Sequence, residues 1–376
     1  VTGQYRYLLA NLQTGAVFSE LLLTNVSAER SLAGPGGFSA LMPLAHMTPK
    51  LRQQVIEDTT PAKCSVLLVR DGECLGEWII WKRVRRADSS PVELGGSEFV
   101  SYLDHRLLPA MDFIQTEQLD IAAAMFTNAV GGTRTNHLGK VAATVATYQP
   151  SGMLRDRHYL QSEAFTGTRL QELSDVIDGF DYYVQTDMDN TGASPKAIRQ
   201  LLLYYPRAGA DREIPLEFSA GPGGAVVETG VAEDGEQIAT EAWALGGTYQ
   251  SGGVDVQVIG ATADTTMITA NGYPYLQVSG SWTSVTEKTT IIKHSAALLA
   301  SHEHAEIPAA LVVSFSDDYP SPTGYHLGDR FQMVIEPSIN FPVGEALTVR
   351  LVGYTIRPPV SGPETLELAV IREDVD

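Results

Sequence analysis

Apolar and polar residues alternate with period two along much of this chain. Tyr5, Tyr7 and Leu9 share one face near the N-terminus. Gln13-Thr14-Gly15 turns the chain into a second run at 17–23, and Gly34-Pro35-Gly36-Gly37 breaks it before Phe38, Ala40 and Met42. Such alternation, bounded by Gly, Pro and Asp, predicts half-buried strands. Asp71-Gly72 predicts a two-residue hairpin turn between 66 and 81, with Arg70 opposite Glu73 and Val69 opposite Cys74. A strand is expected at 98–103. Residues 180–187 and 197–205 flank a polar turn, and 213–260 is Gly-rich and acidic with several short strand candidates.

The last fifty residues are the clearest case. Tyr325-His326-Leu327-Gly328-Asp329 reads as a turn, followed by the alternating sets Phe331/Met333/Ile335, Leu347/Val349/Leu351 and Leu366/Leu368/Val370. The apolar parity changes after Leu351, to Val352 and Tyr354, so a bulge is predicted at Gly353.

Helical periodicity appears in four places. These are 50–58, Met111–Val130 closed by Gly131-Gly132, Thr166–Ile177 with Leu170, Leu173 and Ile177 on one side, and Thr286–Ala300 limited by Pro308. Between the second and third, 139–161 is polar and reads as strand and loop. The resulting order is β at 1–107, a helix-containing segment at 108–179, β again from 180, a second helix-containing segment at 236–305, and β from 306 to 376. The fold class is mainly β with helical insertions (α+β). Hairpins interrupted by inserts imply non-local pairing between Phe180–Tyr205 and the C-terminal sheet.

Composition narrows this picture. At 376 residues the chain exceeds one ordinary core, and 44% apolar with 19% charged residues is globular. No apolar run reaches the roughly 20 residues of a membrane-spanning helix. The N-terminus lacks a basic-then-apolar signal pattern. Val1 stands either for an alternative start codon read literally or for a processed terminus. A formal charge of −19 argues against stable nucleic-acid binding, because phosphates are repelled. The hairpin register sets Cys64 opposite Ile79, several pairs away from Cys74, which disfavours a disulfide and suits reduced thiols and synthesis in a cytoplasm.

Few positions carry candidate chemistry. Asp187-Met188-Asp189-Asn190-Thr191-Gly192 begins like a calcium loop, but the twelfth position, which must be acidic, is Ile198, so a polar hairpin turn is the better reading. His302-Glu303-His304 has His spacing of two rather than the four of a zinc helix, and reads as a solvated helix end. Lys82, Arg83, Arg85 and Arg86 lie beside Trp78 and Trp81. That could mark single-stranded nucleic-acid binding, but on an acidic chain it better suits protection of a strand edge or pairing with an acidic surface. Asn25-Val26-Ser27 matches a glycosylation triplet that arises often by chance. There is no Gly-x-Ser-x-Gly elbow and no phosphate loop, and no carboxylate pair is singled out by spacing among 45 acids. No catalytic, cofactor-binding or metal residue is therefore assigned, no cofactor is expected, and the chain is expected not to be an enzyme.

Seven phrases, in this order, carry a family resemblance. They are Tyr5-Arg6-Tyr7-Leu8-Leu9 with the Gly34–Gly37 break, Gly76-Glu77-Trp78-Ile79-Ile80, Ser101-Tyr102-Leu103-Asp104-His105-Arg106, Gly179-Phe180-Asp181-Tyr182, Tyr205-Pro206-Arg207-Ala208-Gly209, Gly272-Tyr273-Pro274-Tyr275-Leu276, and Leu327-Gly328-Asp329. Together they resemble the minor tail proteins of long-tailed (siphovirus-type) actinobacterial bacteriophages, in particular the tail-tip or baseplate hub. The resemblance implies two tube-type antiparallel β-barrel domains, one at 1–107 and one at 180–235 with 306–376, interrupted by insertions at 108–179 and 236–305. It implies a virion structural protein, three copies of which form a pseudo-six-fold ring that lines the DNA channel. The tail tube or distal tail protein would sit above, with tape measure protein, fibre or spike, or other minor tail proteins below. Many relatives continue into a peptidase or fibre-like module. This chain ends at Asp376 soon after its last strand, so no such activity is expected of it.

Physics constrains that role. A head-to-tail contact closing at three-fold gives a finite ring, and ring closure covers sheet edges that would otherwise recruit strands. Acidic or neutral lumen residues would let DNA slide rather than adhere. Two other readings stay open. A tail-tip adhesin or carbohydrate-binding module would need an exposed aromatic platform, for which Tyr182, Tyr183, Tyr204 and Tyr205 are candidates. A cell-wall hydrolase would need two convergent carboxylates.

Overall fold

The computed structural model describes residues 3–32, 34–87, 91–132, 136–162, 164–192, 194–213, 215–218, 226–228, 231–233, 235–283, 285–302, 306–308, 311–315, 322–359 and 364–373. The chain divides into two compact units, Val1–Thr229 with Ala310–Asp376, and Gly230–Ala309.

In chain order the larger unit begins with β1 (Tyr5–Asn11), β2 (Val17–Leu21), β3 (Thr24–Ser31), β4 (Gly37–Pro43), α1 (Pro49–Asp58), β5 (Cys64–Arg70), β6 (Glu73–Val84) and β7 (Pro91–Glu98). A 3-10 turn at Phe99–His105 leads to β8 (Met111–Glu117), α2 (Gln118–Val130), β9 (Thr144–Val145), β10 (Leu154–Tyr159) and α3 (Thr166–Ser174). Then come β11 (Asp181–Asp189), β12 (Lys196–Tyr204), β13 (Leu216–Phe218) and β14 (Val226–Glu228). The smaller unit holds β15 (Val231–Glu233), β16 (Glu241–Ser251), β17 (Val254–Ala263), α4 (Thr265–Thr269), β18 (Gln277–Trp282), α5 (Lys288–Ala300) and β19 (Glu306–Pro308). The chain returns to the larger unit as β20 (Leu311–Ser314), β21 (Arg330–Ile335), β22 (Glu345–Ile356) and β23 (Thr365–Arg372).

Thirteen strands of the larger unit form one sheet in the order β14-β20-β23-β22-β3-β4-β7-β6-β5-β1-β2, with β21 branching from β22 and carrying β13. Strand β22 is the junction. Its first half pairs with β21, its last residues pair with β3, and β23 runs along it antiparallel. The register shift between Leu351 and Gly353 is the predicted bulge. A Cβ at Gly353 would lie 2.8 Å from Arg30 O, so the close approach of β22 to β3 needs glycine there. The N-terminal part of the sheet curls back on itself. Arg30 of β3 donates to Leu75 O at 2.9 Å, and Trp78 Nε1 of β6 donates to Glu29 O at 2.8 Å, although β4 and β7 separate the two strands in the ladder.

The main core lies between this sheet and the segment that follows it. Ile79, Phe99 and Leu103 pack with Leu119, Ile121, Met125 and Phe126 of α2, Leu170 and Leu173 of α3, and Val184, Leu201 and Leu203 of the β11–β12 hairpin. A second cluster joins Leu8, Ala10, Leu67 and Val69 to Ala197 of β12.

Several sequence expectations shift. The helix expected over Met111–Val130 begins at Gln118, because Met111–Glu117 pairs with β10 and its period-two alternation prevails over helix propensity. Glu117 then caps α2 by accepting from Leu119 N–H. The strand expected at 98–103 ends at Glu98. Glu98 turns its carboxylate onto Ser31 N–H and Gly36 N–H, and the 3-10 turn buries Phe99 and Leu103. The third helix ends at Ser174, since Leu170 and Leu173 already fill its core side. The β11–β12 hairpin pairs with β9 rather than with the C-terminal strands, which enter the sheet through β3 instead. The Asp71-Gly72 turn sets Arg70 opposite Glu73 and Val69 opposite Cys74 as predicted, but a register shift at Leu68 places Ser65, not Cys64, opposite Ile79. Both cysteines are free.

In the smaller unit, β16 is flanked by antiparallel β17 and parallel β18, and α5 covers one face. Ala244, Val258 and Ile291 form one contact layer, and Ala242, Ala239 and Leu299 another. Gly260 and Gly246 let Ile291 approach, since a Cβ at either would meet it at about 3 Å.

Candidate functional site

Three of the sequence phrases meet at one joint of the larger unit. Asp181, at the start of β11, accepts from Ala208 N–H at 2.6 Å and pairs with Arg350 of β22. The loop after β12 brings Gly209 against Gly328. A Cβ on Gly209 would lie 2.0 Å from Gly328 C, and one on Gly328 would lie 2.3 Å from Ala208 O. Both have positive φ, +88° and +91°. Asp329, almost fully buried, accepts from Ala210 N–H (3.0 Å), His326 N–H (3.0 Å) and Arg212 Nε (2.7 Å). Burial opposes its ionisation, but these hydrogen bonds outweigh that and hold its carboxyl below the usual carboxylate range. Glu373 adds pairings to Arg207, Arg330 and Arg350. An open cleft of about 540 Å³ runs beside this joint, lined by Phe180, Asp181, Tyr182, Arg207 and Arg350 among others. Asp181, Arg207 and Arg350 are committed to ion pairs, so the cleft is a solvated seam of a joint.

Two of the other phrases also mark joints. Tyr5 OH and the Arg70 guanidinium both bond Glu364, just before β23, with Arg70 Nε at 2.8 Å. Glu77 and Arg199 form an ion pair with both side chains fully buried. Arg199 Nε and Nη2 donate to Glu77, Nη1 donates to Leu12 O at 2.7 Å, and Thr186 Oγ1 and Ser65 Oγ complete the shell of Glu77. This pair fastens the β11–β12 hairpin to β5 and β6. Arg30 Nε sits 2.6 Å from buried Glu98. Burial pushes the Glu98 carboxyl up despite that partner and the two N–H donors.

The positions weighed for chemistry resolve into structural roles. Asp189 accepts from Thr191 N–H and Oγ1 within the hairpin turn. His302 Nδ1 lies 2.9 Å from Leu298 O at the end of α5, while Glu303 and His304 fall outside the described residues. Lys82 and Arg83 stand in the end of β6 that pairs with β7 alone, beyond Ser65–Ile79, the last β5 pair among the described residues, so the basic stretch follows a one-sided strand end. Arg83 binds the C-terminal end of α1 through Ile56 O and Thr59 Oγ1, and Arg86 pairs with Glu93 at 2.8 Å. Trp78 is fully buried, and the Trp81 ring packs against His105 with centroids 4.1 Å apart, so each is already occupied within the chain. Tyr182 is buried, Tyr183 stacks on Tyr204 with centroids 5.7 Å apart, and Tyr205 is partly buried against the main core, so these four tyrosines do not form an exposed platform. Among the described residues no group of three or more His, Cys, Asp or Glu is arranged to hold a metal.

Sequence reasoning missed the Glu77–Arg199 and Arg30–Glu98 pairs. The signal was present, because Arg199 shares strand parity with Ala197, Leu201 and Leu203, and Glu77 stands inside an apolar run. A charge at an inward strand position marks either a buried pair or an error in strand assignment.

No protein-family model matches the chain. No curated protein matches it by sequence. Solved structures do. A tail protein from Neisseria meningitidis superposes with a TM-score of 0.60 at 14% identity, over 98% of this chain and 97% of that one. The 43 kDa tail protein of prophage MuSo2 from Shewanella oneidensis gives 0.61 at 12% identity, over 98% of both. A prophage tail protein from Listeria monocytogenes gives 0.54 at 12% identity, over 96% and 94%. The chain therefore has the fold of bacteriophage tail proteins, predominantly antiparallel β with inserted helices, over essentially its whole length.

Proposed function

We propose that this chain is a structural protein of a phage tail, the tail-tip or baseplate hub, and not an enzyme. The observation that carries the reading is the likeness, end to end, to three tail proteins of comparable length. In this reading residues 1–107 and 180–235 with 306–376 are the two tube-type modules, and 108–179 and 236–305 are the insertions. Three copies close into a ring around a DNA channel, between the tail tube or distal tail protein above and tape measure, fibre or spike proteins below.

Two features support assembly with further chains. Among the described residues strands β2 and β14 terminate the sheet order, edges that a neighbouring chain would cover. The β21–β22 hairpin tip holds Ile339 at 98% and Val343 at 91% exposure, apolar surface that an assembly would bury. The charge of −19 suits a channel that DNA traverses without adhering.

Light scattering and negative-stain microscopy of the purified chain, followed by cryo-EM of the intact tail tip, test the proposal. A three-fold ring at the distal end of the tube is expected. A location elsewhere in the particle would refute the hub reading. Zymography on host peptidoglycan addresses the hydrolase alternative, and a clearing band lost on replacing a single carboxylate would overturn the non-enzyme assignment.

A further inference from the structure

We infer that the open face of the β17-β16-β18 sheet binds a neutral pyranose glycan, with Trp243 as its stacking shelf. The inference concerns the smaller unit alone and does not depend on the ring.

Strand parity sorts this sheet into two faces. Ala242, Ala244, Val258, Gly260 and Gly280 face α5, and small and branched apolar side chains there match a helix. The opposite face is built differently. The ladder sets Trp243 between Ala261 on β17 and Ser279 on β18, and Glu241 between Ala263 and Gln277. Small neighbours on both sides leave the indole as an unobstructed flat surface, and Trp243 is 36% exposed. Tyr275, 58% exposed, lies beside it.

These aromatics are locked by a polar rim. One oxygen of Glu241 accepts from Trp243 Nε1 (2.6 Å), Gln277 Nε2 (2.6 Å) and Tyr275 OH. Hydrogen bonds from Tyr275, Gln277 and Trp243 keep this carboxyl ionised, below its ordinary range. The second carboxylate oxygen, the Gln277 carbonyl and the Ser279 and Ser281 hydroxyls border the shelf and suit a ring of hydroxyl groups. A flat C–H-bearing ring edged by hydroxyls is the chemistry that an aromatic plane with a carboxylate-amide rim fits.

Charge selects the class. Residues 230–309 contain nine acids against two lysines and no arginine, and both lysines, Lys288 and Lys293, lie on α5, on the other side of the sheet. A uronic acid, a phosphate polymer or a nucleic acid would meet repulsion at Glu241 with no cation on the sheet face to offset it. Farther along the same face the ladder sets Leu245 opposite Ile259, which gives the shelf an apolar border on that side.

The test uses the full chain on an array of neutral and acidic glycans. Calorimetric titrations with maltohexaose, cellohexaose, chitohexaose and heparin follow. At least one neutral glycan should bind saturably, and heparin should not. Trp243→Ala should weaken that binding about tenfold or more, the effect of losing roughly 1.4 kcal/mol. Ser279→Arg, which covers the shelf from an exposed position, should abolish binding with an unchanged melting temperature, so the test survives a folding defect in the first variant. Absence of saturable binding to any neutral glycan, equal binding of heparin, or full affinity retained in Ser279→Arg would overturn the assignment.

Discussion

The buried Glu77–Arg199 pair makes the sharpest prediction about what holds the larger unit together. Both side chains are completely inaccessible, and Arg199 ties β12 to Glu77 of β6 as well as to the Leu12 and Asn11 carbonyls. Replacing Arg199 with Met keeps most of the volume but leaves Glu77 charged in an apolar layer, with only Ser65 and Thr186 as donors. An unpaired buried charge of this kind costs about 3–5 kcal/mol. For a protein larger than 250 residues each kcal/mol lowers the melting temperature by about 2 °C, so a loss of roughly 6–10 °C is expected. Glu77→Gln should cost a comparable amount, because the amide offers Arg199 one acceptor oxygen instead of two and leaves its buried charge uncompensated. The double variant Glu77→Leu/Arg199→Met should recover much of the loss, because two apolar groups need no partner. With the single variant Glu77→Leu added, wild type, Arg199→Met, Glu77→Leu and the double variant form a double-mutant cycle in urea and thermal unfolding. A coupling below about 1 kcal/mol, within the range of an exposed pair, would show that the pair does not fasten the hairpin to the sheet.

Three further outcomes follow from the same joints. Gly328→Ala should lose about 2–4 kcal/mol in urea unfolding, because an L-residue is strained at φ +91° and its Cβ would meet Ala208 O at 2.3 Å; Gly328→Val should fail at tail assembly rather than at adsorption, and wild-type stability in either would argue against the close approach. Asp329 and Glu364 both have lowered folded-state values, so the stability they contribute is present above the unfolded carboxylate range near pH 4 and is lost as pH falls through the folded values. Asp329→Asn should flatten the fall in melting temperature below about pH 4, and an unchanged acid profile would contradict the assignment. Burial pushes Cys64 and Cys74 up to about 12; Cys64 is buried and Cys74 half-buried, so Cys64 should react with Ellman's reagent at pH 8 only after denaturant is added and Cys74 slowly before it, and rapid labelling of both thiols in the native chain would contradict this.

What the sequence made legible was local. The Gly353 bulge and the Asp71-Gly72 turn follow from parity and turn chemistry, which neighbouring residues set by themselves. What it hid was decided across distance. Met111–Val130 is read as one helix until β10 is available to pair with its first seven residues. The Phe180–Tyr205 hairpin was expected to pair with the C-terminal strands. It packs instead on the main core through Val184, Leu201 and Leu203 and is fastened there by Arg199 with Glu77, whose members lie 122 positions apart. The aromatic platform was sought among tyrosines of that hairpin, where alternation buries Tyr182 and stacking occupies Tyr183 and Tyr204. Two exposed aromatics that share Glu241 stand instead at Trp243 and Tyr275, on a face that has no reading until β17 and β18 lie beside β16. The same division separates the two kinds of site in this chain. Gly209, Gly328, Asp181 and Asp329 are spent on closing joints, and substitutions there should be read in stability. Trp243 and Ser279 sit where neither face packing nor a joint requires them, and substitutions there should be read in binding.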